Sequence, residues 1–122
     1  MVEVICDTSF LLHLATTRIK NISNLEVEIG QLKFVVPQVV IKELQKLTND
    51  PNKKQFVLAT LDFIKDFKTV SINGKFADES IINHVKEHGG IVGTLDKELK
   101  RNIKNLGGSI LSFSNDRIVL ES

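Results

Sequence analysis

At 122 residues the chain has room for one domain with a real core and too little for two. Hydrophobic residues make up 42% of it and charged residues 25%, an ordinary globular balance that excludes disorder. The net charge of +1 excludes a globally basic nucleic-acid binder, so such a partner needs a local basic patch.

The predicted elements alternate strand and helix. Val2 to Cys6 reads as a buried strand and Thr8 to Thr16 as a helix that Asp7 or Thr8 caps. A second helix is predicted around Asn24 to Leu32, then a short strand at Phe34-Val35-Val36. Pro37 stops that strand and opens a helix running to about Leu47. Asn49-Asp50-Pro51-Asn52 is a turn, Phe56 to Phe67 a helix, Thr69 to Ile72 a strand and Asn73-Gly74 a second turn. The helix from Asp78 to His88 ends at Gly89-Gly90, a C-cap pair. Strand Ile91 to Leu95, helix Lys97 to Leu106, the Gly107-Gly108 stop and strand Ser109 to Phe113 follow, with Ile118 to Leu120 as an edge strand. This pattern predicts a single α/β domain over 1–122, a three-layer α/β/α sandwich around a mostly parallel sheet.

In such sheets ligands bind beyond the C-terminal strand ends, near a topological switch point. Asp7 and Asp96 each close a strand at such an end. Glu43 falls on the inward arc set by Val40, Leu44 and Leu47, and Asp78 on the arc set by Ile81, Ile82 and Val85, whereas Glu79 points away. A carboxylate in an apolar setting is costly unless a cation meets it. Ordinary alternatives stand beside each: helix capping for Asp7, Asp78 and Asp96, and snorkelling to water for Glu43. Four acids at convergent places make a set, and oxygen-only donors suit Mg²⁺ or Mn²⁺. Ser9 and Thr94 stand close by in sequence, hydroxyls suited to orienting a metal-bound water or capping an amide.

Other features carry less. Lys97, Lys100, Arg101 and Lys104 form a basic stripe beginning beside Asp96, suited to phosphate contacts or to a solvated face; Lys53 and Lys54 could extend it. His84 and His88 are four apart on one helix but lack a third ligand for zinc, and His13 sits among apolar residues. Aromatic stacking on bases has little support, since the chain has no Trp or Tyr and most Phe residues fall at core-like positions. An apolar surface on the Phe56–Phe67 helix would serve a dimer or the core equally well. Cys6, alone, rules out an internal disulfide and fits a reducing, cytoplasmic compartment. No basic leader and no apolar run of membrane-spanning length is present, so a soluble protein with no membrane association is expected.

At these residues the chain resembles a PIN-domain nuclease. The resemblance rests on Ile5-Cys6-Asp7-Thr8-Ser9-Phe10-Leu11-Leu12, the stretch from Val36 to Leu44, Ala77-Asp78-Glu79-Ser80-Ile81-Ile82, and the stretch from Gly93 to Arg101, in that order over nearly the whole chain. It implies a parallel sheet with helices on both faces, often dimeric, and a ribonuclease dependent on Mg²⁺ or Mn²⁺. The family's acidic quartet falls on Asp7, Glu43, Asp78 and Asp96, with Asp7, Asp78 and Asp96 at the metal and Thr94 or Ser9 as the polar helper. The C-terminal stretches are most similar to free-standing archaeal members related to ribosomal RNA processing nucleases, and toxin members of toxin–antitoxin pairs share the core. The implied partners are single-stranded or structured RNA and an antitoxin or ribosome-assembly factor. A non-catalytic RNA-binding module is the alternative from another class.

Overall fold

The computed structural model describes residues 2–121. Strands form at Val2–Cys6 (β1), Leu32–Pro37 (β2), Lys68–Val70 (β3), Ile91–Gly93 (β4), Ser109–Ser114 (β5) and Arg117–Glu121 (β6). Helices form at Thr8–Thr16 (α1), Ile22–Ile29 (α2), Gln38–Leu47 (α3), Lys54–Phe63 (α4), Ala77–His88 (α5) and Lys97–Asn105 (α6). All six strands share one sheet in the order β3-β2-β1-β4-β5-β6, parallel throughout except for the antiparallel β5–β6 hairpin. Helix α1 packs with α3 and α4, and α5 packs on α6.

The order explains where a ligand can enter. From β1 the chain moves outward to β2 and β3, then returns to the other side of β1 for β4 and β5. The crossovers leaving β1 and β4 therefore diverge, which opens a crevice at their C-terminal ends. Register places Cys6 opposite Gly93 there, and the Asp7 amide donates to the Gly93 carbonyl at 3.0 Å. The central strand is apolar because both of its faces are covered: Val4, Ile5 and Cys6 are all buried.

Several predicted boundaries move, each for a local reason. Helix α2 ends early because Gly30, at φ 102°, turns the chain and its amide bonds back to Glu26. Helix α4 stops at Phe63, so Phe67 leaves the helix and stacks on Phe34, with the Phe63 ring tilted against it. Strand β3 closes at Val70; Ile72 is buried outside the ladder, where its carbonyl accepts from Val39 at 3.1 Å. Strand β4 ends at Gly93 instead of Leu95, so Thr94 to Asp96 form a loop leading into α6.

Gly93 is fixed by close approach. A Cβ added there would lie 2.9 Å from the Phe10 ring, which is fully buried and stacked 4.8 Å from Phe113. Gly93→Ala is expected to destabilise the fold by about 1–3 kcal/mol through overpacking. Urea unfolding checks this, and an unchanged midpoint would show that Phe10 gives way freely.

Candidate active site

Asp7, Glu43, Asp78 and Asp96 line one pocket of about 310 Å³ together with Thr8, Ser9 and Leu12. It lies at the C-terminal ends of β1 and β4, in the crevice that the strand order creates. Each acid arrives on a different element. Asp7 is the N-cap of α1, Glu43 sits in α3, Asp78 in the first turn of α5, and Asp96 is the N-cap of α6.

Asp7 is the buried member, 4% exposed, and its carboxylate is held on both oxygens. Oδ1 accepts from the Phe10 amide and the Ser9 hydroxyl, both at 2.8 Å, and Oδ2 accepts from the Thr94 hydroxyl. The two hydroxyls extend the clamp to the β4–α6 loop. Ser9 Oγ accepts from the Leu95 amide at 3.0 Å, and Thr94 Oγ1 accepts from the Asp96 amide at 3.0 Å. One carboxylate thus ties the start of α1 to the loop that carries Asp96. Of the two roles expected for the Thr94 hydroxyl, amide capping is the one formed, toward Asp96. The residue is fully buried and its hydroxyl is committed to Asp7 and Asp96, so it fixes the carboxylate. Ser9 does line the pocket, with its hydroxyl likewise engaged.

Burial expected for the other three is corrected. Glu43 is half-buried, and Asp78 and Asp96 are exposed, because the crevice is open and its rim stays hydrated. Capping does not account for Asp78: the α5 N-cap is Phe76, without a side-chain cap bond. Asp96 does cap, its Oδ1 accepting from the Glu98 amide at 2.9 Å and the Leu99 amide at 3.1 Å, which leaves Oδ2 without a cap bond. Glu43 is steadied by a residue the sequence reading left out of the site: the Thr8 hydroxyl donates to Glu43 Oε1 at 2.7 Å. Its signal was present as a hydroxyl directly after Asp7 at a helix start, but its partner lies 35 residues away.

The electrostatics are those of crowded like charges. Burial pushes the Asp7 carboxyl above the ordinary aspartate range; hydrogen bonds from Thr94, Phe10 and Ser9 pull it down, and Asp78 pushes it further up. Asp78 is raised by partial burial and by repulsion from Asp96, Glu43 and Glu98. No ion pair among the described residues involves any of the four acids. Nor are three His, Cys, Asp or Glu side chains among them gathered closely enough to hold an ion as they stand. The donor set is nonetheless all hard oxygen around an uncompensated negative pocket, which fits Mg²⁺ or Mn²⁺ and disfavours softer metals.

The remaining expectations separate. In the basic stripe, Lys100 and Lys104 both pair with Glu121, at 3.1 and 2.9 Å, so the β6 edge neutralises part of it. Lys97 and Arg101 stay exposed beside them. The rings of His84 and His88 lie 4.7 Å apart in a separate recess with Ile5 and Val35, away from the acids. Cys6 is fully buried and its thiol is pushed well up, as suits a small core residue. Among the described residues no helix is long and apolar enough to cross a membrane.

Residues 4–115 match the PIN-like domain family. The chain is 30% identical over 109 residues to ribonuclease VapC4 of Methanocaldococcus jannaschii, covering 84% of this chain and 83% of that protein. It is 29% identical over 117 residues to ribonuclease VapC9 of Archaeoglobus fulgidus, covering 94% and 85%. The PIN domain endonuclease Utp24 superposes with a TM-score of 0.78 at 29% identity, over 98% of this chain and 90% of that one. A domain of a functionally unknown protein from M. jannaschii shares the fold, with a TM-score of 0.65 at 16% identity over 93% and 92%.

Proposed function

The chain belongs to the PIN-like domain family, and from that premise we propose that it is a divalent-metal-dependent endoribonuclease acting at the four-acid pocket. The observation that carries the reading is the meeting of Asp7, Glu43, Asp78 and Asp96, from four separate elements, in one crevice at the switch point of the sheet. The ribonuclease names of the two curated relatives and the endonuclease name of the structural neighbour support it.

In this reading Asp7, Asp78 and Asp96 hold Mg²⁺ or Mn²⁺, and the exposed Asp78 and Asp96 have the freedom to turn toward it. A bound divalent ion supplies charge neutralisation for the phosphate and acidification of a water. Asp7 is the fixed point, since its two hydroxyl clamps and one amide set its orientation. Glu43, steadied through Oε1 by Thr8, presents Oε2 to take the proton of the attacking water. The water oxygen bonds to phosphorus, the bond from phosphorus to O3′ breaks with its electron pair on O3′, solvent protonates that oxygen, and the products carry a 5′-phosphate and a 3′-hydroxyl. A cytoplasmic setting, and a role in RNA processing or as the toxin of a toxin–antitoxin pair, belong to the same reading.

Incubation with total and ribosomal RNA, with Mn²⁺ or with EDTA, followed by mapping of the new ends, tests it. Cleavage that needs the metal and leaves 5′-phosphates is expected; metal-insensitive RNA binding with no new ends would favour a binding module. Asp78→Asn should lower the cleavage rate about 10- to 100-fold or more, whereas Glu79→Gln, one residue along and outside the pocket, should leave it unchanged. Equal losses in both variants would move the site away from Asp78.

A further inference from the structure

The acidic pocket has a neighbour on each side. Toward α1 and α4 it continues, through the shared Ser9 and Leu12, into an apolar cleft of about 510 Å³. That volume lies within the ~300–1,000 Å³ usual for small-ligand sites. The cleft is walled by Leu12, Val57 and Leu95, with Phe56 and Lys53 at its edge. Phe56 is 62% exposed, although it stands on a helix whose Val57 is buried. Phe56 thus lines the cleft with most of its surface open to water. Toward α3 the pocket adjoins, through the shared Glu43, a smaller recess rimmed by Lys42, Lys46 and Lys75. None of these lysines, nor Lys53, makes an ion pair among the described residues.

The sequence is therefore apolar aromatic cleft, acidic pocket, cationic recess. An unpaired nucleotide offers matching parts: a base with a π-face, a scissile phosphate whose charge a cation held by the acids would neutralise, and a following phosphate. A duplex does not match, because its bases are stacked on one another and unavailable to Phe56. Resting on the nuclease reading, we propose that the α1–α4 cleft is a nucleobase subsite for single-stranded RNA, with Phe56 as the stacking platform, and that Lys42, Lys46 and Lys75 take the phosphate on the far side of the cut. An apolar cleft alone would suit a protein segment equally; its continuity with the acids and the lysines beyond them selects the RNA strand.

The test uses a short mixed-sequence single-stranded RNA, the same strand in duplex form, and an abasic strand, all bound with Ca²⁺ in place of Mg²⁺ or Mn²⁺, so that a hard cation still offsets the acids while cleavage is suppressed. Phe56→Ala should weaken binding of the single strand roughly 5- to 150-fold, the range that one stacked base is worth. It should leave the weaker duplex binding and the salt dependence as they were. Lys46→Gln should instead reduce the salt slope by about 0.7. Because the chain has no tryptophan, Phe56→Trp places a single reporter in the cleft. Its fluorescence should be quenched by the single strand and left unchanged by the abasic one. Wild-type affinity in Phe56→Ala, or no quenching by the single strand, would overturn the subsite. Loss of self-association in Phe56→Ala with RNA binding unchanged would assign the cleft to a second copy and equally overturn it. RNA binding that depends on Phe56 without cleavage under any metal would keep the subsite and refute the nuclease, so the two failures are distinct.

Discussion

Asp7→Asn is expected to lower RNA cleavage by at least about 10²-fold, beyond the 10- to 100-fold typical for residues one shell away from a metal, while the fold persists. The substitution isolates charge from structure. Asparagine is as good an N-cap as aspartate, so the bond from the Phe10 amide at 2.8 Å survives on the amide oxygen. Ser9 keeps the same acceptor, and Thr94 faces an NH₂ group that donates to its hydroxyl oxygen in place of accepting from it. One neutral hydrogen bond changes polarity, an effect of about 1 kcal/mol. What disappears is the negative charge and the free lone pairs on a buried oxygen at the floor of the pocket. Circular dichroism and urea unfolding report the fold, and end-mapped cleavage reports the chemistry. A folded Asp7→Asn protein that cuts at the wild-type rate would remove Asp7 from the site.

The second large effect is a stability that responds to pH and metal together. Asp7 and Asp78 both have carboxyls raised above the ordinary value of 3.8. The folded chain therefore retains protons that the unfolded chain has already released. The stability these groups contribute is fully present below the unfolded value and is lost as pH rises through the raised folded values. Above those raised values the metal-free protein carries that cost in full. A cation held by the acids would offset it, and a site saturated at 100 times its Kd gains about 2.7 kcal/mol. Thermal melts stepped between about pH 4 and 8, with and without Mn²⁺, are expected to show a metal-induced rise of several degrees at the upper end that fades toward the lower. Asp7→Asn combined with Asp96→Asn should stay folded and lose the response to metal, since asparagine also keeps both helix caps. A metal response equal in the double variant would place the ion elsewhere.

How much of this was legible beforehand differs by residue. The strand at Val2–Cys6 and the helix at Thr8–Thr16 were readable to the residue, because a continuous apolar run and a capped amphipathic run are local signals. Asp7 was readable as a strand-end acid and Asp96 as a helix cap, although β4 stops three residues before Asp96, and Asp78 was separable from Glu79 by helical phase alone. The α4 region was not. A run rich in phenylalanine looks like core, and only the packing of Val57, Thr60 and Ile64 inward shows that Phe56 faces water. The pairing of Thr8 with Glu43 and the loss of Lys100 and Lys104 to Glu121 were equally hidden, since each joins residues from elements brought together by folding.

Alone, the order of residues determined the alternation of strand and helix and the placing of three acids at helix starts and a fourth on an inward helix arc, because hydrophobic period and capping chemistry act over a few neighbours. Tertiary structure decided the rest: that the reversal of strand order beside β1 opens a crevice, that Thr94 is spent on holding Asp7, and that an aromatic cleft and a cationic recess flank the acids. Those outcomes depend on contacts between distant segments, whose geometry is set by how the layers pack and is written in no single stretch of chain.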